Sequence, residues 1–228
     1  MDFEALWLTL RLAVGTTAIL LVVALPLAWW IASGHGVKRA LVQAVVALPL
    51  VLPPTVLGFY LLVALGPLTA PGRFLIRALG HPLAFSFGGL LVGSILYSLP
   101  FAVQPLVAGF QAVDRGFIEA AAGLGAAPAK VFLSVVLPMT RASLLTSAIL
   151  AFTHTVGEFG VVLMLGGNIP GATRTLSISL YDLVQDGNYA AANRTALVLM
   201  VFAMVALLVI YLLPGMRKTD GRQADVVR

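Results

Sequence analysis

Cysteine is absent from the 228 residues, which excludes disulfide frameworks, thiolate metal sites and cysteine nucleophiles together. Charge is scarce. The chain carries 14 Lys/Arg and 9 Asp/Glu, 10% of its residues, where soluble domains carry about a quarter. So few charged side chains do not cover the surface of a water-soluble globule. The three histidines, His35, His81 and His154, lie far apart, with no HExxH or paired-ligand spacing, so no metal site and no zinc hydrolase is expected. A facing Asp pair or Ser–His arrangement inside the apolar runs is also missing, which argues against an intramembrane enzyme. What is abundant is apolar: 60% of the residues are hydrophobic and the mean hydropathy is +1.02. This composition specifies an all-α integral membrane protein in a single domain over residues 1–228. The net charge of +5 comes from basic residues that flank apolar runs, which fits a membrane and not nucleic acid.

A helix needs about 20 apolar residues to cross about 30 Å of hydrocarbon. Five runs meet that length, roughly 8–32, 40–65, 83–111, 140–165 and 193–214, the fourth interrupted from Ala142 to about Leu165 only by Glu158. Five spans are expected, with six as the alternative count. Asp2 and Glu4 precede the first run where a cleaved export signal would carry basic residues, so a retained span is expected there. With the N-terminus outside, the inner segments hold Lys38, Arg39, Arg115, Lys130, Arg141, Arg217, Lys218, Arg222 and Arg228, nine of the 14 Lys/Arg. The outer loops hold Arg73, Arg77, Arg174 and Arg194. The positive-inside rule then predicts N-out, C-in. Between the last two spans, Leu176–Gln185 has apolar residues at 176, 180, 183 and 184, the stripe of a short amphipathic helix lying at the outer surface.

Pro26, Pro49, Pro53, Pro54, Pro100 and Pro105 fall inside candidate spans. Each removes a backbone donor and crowds the preceding turn, and in lipid the freed carbonyls need protein or a wet cavity. The run Leu48–Gly58 is the densest, so Pro49, Pro53 and Pro54 mark either a packing kink or a broken segment along a pathway.

Between the third and fourth spans runs Asp114–Pro138. Asp114 is a good N-cap, Phe117–Ala122 favour helix, and Gly123 and Gly125 break it. Pro128 suits the first turn of a second helix, which Pro138 is expected to stop at Leu137. A helix–turn–helix at the cytoplasmic surface follows, with Ala120–Ala122 as a small face that a partner can approach.

This stretch resembles the EAA loop of ABC importer permeases, E-A-A, three residues, G, nine residues, I-x-L-P. Glu119, Ala120, Ala121, Gly125, Leu137 and Pro138 match, and Val135 stands in the Ile position. Pro49–Gly58 (PLVLPPTVLG), Gly157–Gly160 (GEFG) and Gly167–Thr175 (GNIPGATRT) look like the molybdate importer permeases, with the sulfate permeases next. The resemblance implies the type I ABC importer permease fold and a cytoplasmic coupling loop at residues 114–138. It implies a homodimeric channel for molybdate, with tungstate as a further substrate and sulfate or thiosulfate as the alternative cargo. The partners it implies are two cytoplasmic ATPase subunits, which bind ATP and Mg, and a periplasmic oxyanion-binding protein. The location it implies is the bacterial cytoplasmic (inner) membrane.

No cofactor and no catalysis are expected in this chain. Gly166–Thr173 is a near miss to a phosphate-binding loop, but Ala172 replaces its lysine and the strand–loop–helix context is missing. His154 and Glu158 lie one turn apart on one helix face, inside the membrane, where ionisable groups face a cavity or a partner. A bare carboxylate would repel an anion, so Glu158 is expected to brace a gate, paired with Arg174 or His154 or held protonated; a plain tie between helices is the alternative.

Overall fold

The computed structural model describes residues 2–212, and all regular structure among them is helical. Eleven helices follow in order: α1 (Phe3–Ala32), α2 (Val37–Val51), α3 (Pro54–Leu65), α4 (Ala70–Leu79), α5 (Phe87–Gln111), α6 (Arg115–Gly123), α7 (Pro128–Met139), α8 (Arg141–Gly157), α9 (Gly160–Gly166), α10 (Leu176–Gln185) and α11 (Tyr189–Leu212). The tail cations Arg217, Lys218, Arg222 and Arg228, on which part of the orientation rests, lie outside the described residues, as does the end of the fifth expected span.

Among the described residues three helices, α1, α5 and α11, are long and apolar enough to cross a membrane, and the count rises to as many as five if each of the bent pairs α2–α3 and α7–α8 is one span. α1 begins five residues earlier than the expected span because Asp2 caps it, its carboxylate accepting the Ala5 N–H at 2.9 Å. The second expected span is not one helix. It breaks between Val51 and Pro54 with a bend of 111°. Pro53 takes the N-cap position and Pro54 the first turn of α3, where a missing N–H costs nothing. The fourth expected span divides at Glu158 and Phe159, which leave helical geometry between α8 and α9. α4 lies where the sequence reads as an outer loop; Thr69 caps it and Gly80, at φ +79°, ends it.

α1, α5 and α8 form the central layer, with Leu20, Ala24, Ala28, Ala102, Val103, Leu106 and Ala151 in its core. The small residues matter: in lipid, close packing replaces the hydrophobic drive between helices. A second seam joins α3 to α9. A Cβ on Gly58 would stand 2.8 Å from Met164 Cβ, and one on Gly160 would stand 2.8 Å from Pro54 Cβ. The two glycines let these helices touch. α10 differs from its expected surface position. Its N-terminal turn, Leu176–Ser179, is buried, and the Leu176 N–H donates to Thr9 Oγ1 at 2.8 Å.

Candidate functional site

Two regions hold the residues singled out from the sequence, one at each end of α8. At the first, Asp114 caps α6 by accepting the Gly116 N–H at 2.8 Å. Gly125 then closes α6, with Ala126 N–H donating to Ala121 O at 3.2 Å and Gly125 N–H to Ala122 O at 2.9 Å. These are the two bonds of a Schellman cap, and Gly125 holds the left-handed position at φ +81° with no atom within 4 Å of a built Cβ. Glu119, Ala120 and Gly125 are exposed, Ala121 is half-buried, and Leu124 is 90% exposed. Among the described residues Glu119 has no ion-pair partner. The loop presents its carboxylate and an apolar tip outward.

Pro138 does not stop α7 at Leu137. The helix continues to Met139 because Phe132–Val136 widens into a π-helical turn, in which the Leu137 N–H reaches Phe132 O. The wider turn absorbs both the missing N–H and the ring that would crowd Ser134 O. The chain bends by 75° between α7 and α8. Leu137 is half-buried and Pro138 exposed. Sequence reasoning missed how this loop is joined to the bundle. Trp29 of α1, Phe110 of α5 and Phe132 of α7 form a mutual aromatic trio, centroids 5.3–5.7 Å apart. A cavity of about 470 Å³ opens beside it, lined by Trp29, Phe110, His35, Arg115, Ile118 and Glu119. The signal was available as aromatics at the matching ends of two spans.

At the other end of α8, His154 Nδ1 lies 2.9 Å from Ser98 Oγ, which lies 3.0 Å from Thr155 Oγ1. The imidazole stacks on Phe101 at 3.9 Å and meets Tyr97 at 4.8 Å. Glu158 is 3% exposed, and among the described residues neither carboxyl oxygen meets a hydrogen-bond partner. Ser94 lies beside it, also buried. The expected pairing of Glu158 with Arg174 or His154 is not formed. Arg174 instead donates from Nε to Asn168 Oδ1 at 2.8 Å and lies 3.7 Å from Asp182 Oδ2, while Asn168 Nδ2 donates to Asp182. The cause is local: Gly167, Asn168 and Gly171 all take positive φ, and Thr173 Oγ1 donates to Gly166 O and accepts from Ile169 N–H. This tight loop turns Arg174 toward α10. Of the prolines, Pro54 meets the GEFG segment at Gly160, Pro53 caps α3, and Pro49 sits inside α2. The Ser94/Ser98 pair, four residues apart in an apolar span, is the signal that would have located this polar seam.

Among the described residues there is no cluster of three or more metal-ligating side chains. The Ser98–His154 contact corrects the expectation that no Ser–His arrangement exists inside the apolar runs: the two residues lie 56 positions apart in sequence and meet only because α5 packs on α8.

The family model for the binding-protein-dependent transport system inner membrane component matches residues 24–216. The molybdenum transport system permease protein ModB of Azotobacter vinelandii is 50% identical over 211 residues, 92% of this chain and 93% of that protein. The protein of the same name from Escherichia coli K12 is 33% identical over 208 residues, 89% and 91% of the two chains. Among solved structures, a bacterial alginate ABC transporter in complex with a periplasmic protein superposes with a TM-score of 0.74 at 19% identity, over 95% of this chain and 80% of that one.

Proposed function

The chain belongs to the family of binding-protein-dependent transport system inner membrane components, and we propose that it is the permease subunit of an ATP-driven molybdate importer. It is a multi-pass protein of the inner membrane with the fold of an ABC transporter permease. The observation that carries the coupling part of the reading is the exposed α6–α7 turn, with Glu119 and Leu124 outward and Gly125 locked in a Schellman cap. The molybdate part rests on the half-identical Azotobacter relative and on the GNIPGATRT loop. Two copies of the chain form the channel. Two cytoplasmic ATPase subunits seat the α6–α7 loop and bind ATP and Mg, so this chain itself catalyses nothing. A periplasmic oxyanion-binding protein delivers the anion at the opposite end, near Arg174, and the N-terminus lies on that side with the C-terminus in the cytoplasm.

The test is uptake of labelled molybdate into vesicles holding the complete transporter, with unlabelled tungstate and sulfate as competitors. Uptake that requires ATP inside, is blocked by tungstate and is indifferent to equimolar sulfate is expected. Uptake of sulfate in preference to molybdate overturns the cargo, and uptake without ATP overturns the class.

A further inference from the structure

The exposed side chains of α1 mark where the membrane surfaces cross the molecule. Trp7 and Arg11, one turn apart, are both exposed, and the Arg11 guanidinium lies 5.1 Å from the ring of Phe87 at the start of α5. From Arg11 to Ala32, where α1 ends, the helix rises about 32 Å, enough to cross a hydrocarbon core of about 30 Å. At the far end the pairing recurs, with the Arg39 guanidinium 5.2 Å from the Trp30 ring. Tryptophan and arginine gather where an apolar body and a polar tip meet different media. Arg11 therefore stands at the headgroup level, at the end opposite the α6–α7 loop.

α4 belongs to the same end. Residues 80–86 join it to Phe87, and its Leu75 packs into the cluster of Leu65, Leu83, Val161 and Leu165. Its join to α3 is fixed. A Cβ on Gly72 would collide with Gly66 O, and Thr69 Oγ1 donates to Ala64 O at 2.7 Å. Arg73 and Arg77, one turn apart on the side away from Leu75, are both exposed, and neither has an ion-pair partner among the described residues. No Asp or Glu occurs between Glu4 and Asp114, so no carboxylate of that whole stretch offsets them. Beside the two cations stand large apolar side chains. Phe74 is 70% exposed, Leu68 in the preceding turn is 91% exposed, and Leu79 is exposed as well.

We propose that α4 lies in the headgroup layer of the membrane, with Phe74 and Leu79 at the acyl boundary and Arg73 and Arg77 holding the phosphate of an anionic phospholipid. Paired cations flanked by an aromatic and leucines are the surface of an interfacial helix. A soluble partner that departs after each delivery would return these apolar side chains to water, whereas a lipid surface covers them throughout. The membrane thereby fixes the end of α3 from which α4 hangs, and α3 carries the Gly58–Gly160 seam with α9. This inference goes beyond the transport reading and is independent of the cargo.

The chain has no cysteine, so Phe74→Cys accepts a single fluorophore in the full-length protein. The labelled protein is reconstituted in vesicles containing brominated phosphatidylglycerol or brominated phosphatidylcholine. Quenching at position 74 reads the relative association of the two lipids with α4. Quenching by both is expected, with phosphatidylglycerol preferred at least about fivefold, the effect of one arginine near an anionic surface. In Arg73→Gln/Arg77→Gln the preference is expected to fall below about twofold. Should that pair fail to reconstitute, Arg77→Gln alone is expected to lower the preference at least about twofold. Absence of quenching by either lipid places α4 in water and overturns the proposal, as does a preference that the glutamine substitutions leave unchanged. Loss of quenching on addition of the molybdate-loaded binding protein assigns the surface to a protein and overturns it too.

Discussion

Gly125 has open space around it, so a side chain there is penalised by conformation and not by any neighbour in this chain. At φ +81° a non-glycine residue costs about 1–2 kcal/mol, more when β-branched. Gly125→Val is therefore expected to unwind the Schellman turn while leaving membrane insertion intact, and Glu119→Lys to reverse an exposed charge without touching the fold. Loss of a central interface contact costs about 2 kcal/mol or more, a roughly 30-fold drop in association. Co-purification of the ATPase with each variant measures it; full recovery with both would make the loop a mere connector. Glu158 poses the opposite case, since it is buried and has no ion-pair partner among the described residues. Glu158→Gln keeps the volume and loses no ion pair. The detergent-solubilised variant is expected to melt within about 2 °C of wild type, or above it, while uptake changes. A melting point lowered by several degrees would show that a bond to this carboxyl does hold the helices. At this scale the sequence was legible where chemistry is local: the Asp114 cap and the Gly125 turn follow from residue type and spacing. The partners of Arg174 were not, because three positive-φ residues in the preceding loop set its direction and a linear charge pattern carries no direction.

Among the elements, the broken second span and the α9 segment depend on each other. Pro53 and Pro54 end one helix and start the next, a break that the density of prolines announces, but the 111° angle comes from what α3 finds to pack against. It finds α9 through Gly58 and Gly160. A methyl on Gly160 meets Pro54 at 2.8 Å, with the Thr55 backbone N at 3.3 Å behind it, so neither neighbour yields by a rotamer change. Gly160→Ala is expected to destabilise the protein by about 1–3 kcal/mol, read as a lower melting temperature in detergent, whereas Gly123→Ala, with no neighbour within 4 Å, is expected to be neutral or stabilising. Equal behaviour of the two would remove the α3–α9 seam from the account. The continuation of α7 past Pro138 was not legible for a related reason. Proline rules describe regular α-helix, and a π turn supplies an extra residue that lets the helix step around the ring. α10 was misplaced because an apolar stripe reports a face, whereas its burial is at one end, where Thr9 draws the Leu176 N–H into the bundle.

For the whole molecule, the three helices α1, α5 and α8 connect the two ends that the function separates: the α6–α7 loop on one side and the Asn168–Arg174–Asp182 cluster on the other. Fusion of a cytoplasm-active reporter after Arg228 is expected to be active, and one within 72–80 silent; the reverse pattern would put the loop on the wrong side for an ATPase. The apolar composition made the class legible, and the loop motif made the family legible, because both are properties of residue order. Cargo is legible only by resemblance, since the residues around the α5–α8 face meet across 56 positions of sequence. The central claim is that substrate arrival at one end of this chain is felt by an ATPase at the other. The direct measurement is ATP hydrolysis by the reconstituted complex with its binding protein empty or loaded with molybdate, in wild type and in Gly125→Val. Stimulation by the molybdate-loaded protein in wild type and its loss in Gly125→Val is the predicted result; stimulation that persists unchanged in the variant, or never occurs in wild type, contradicts it.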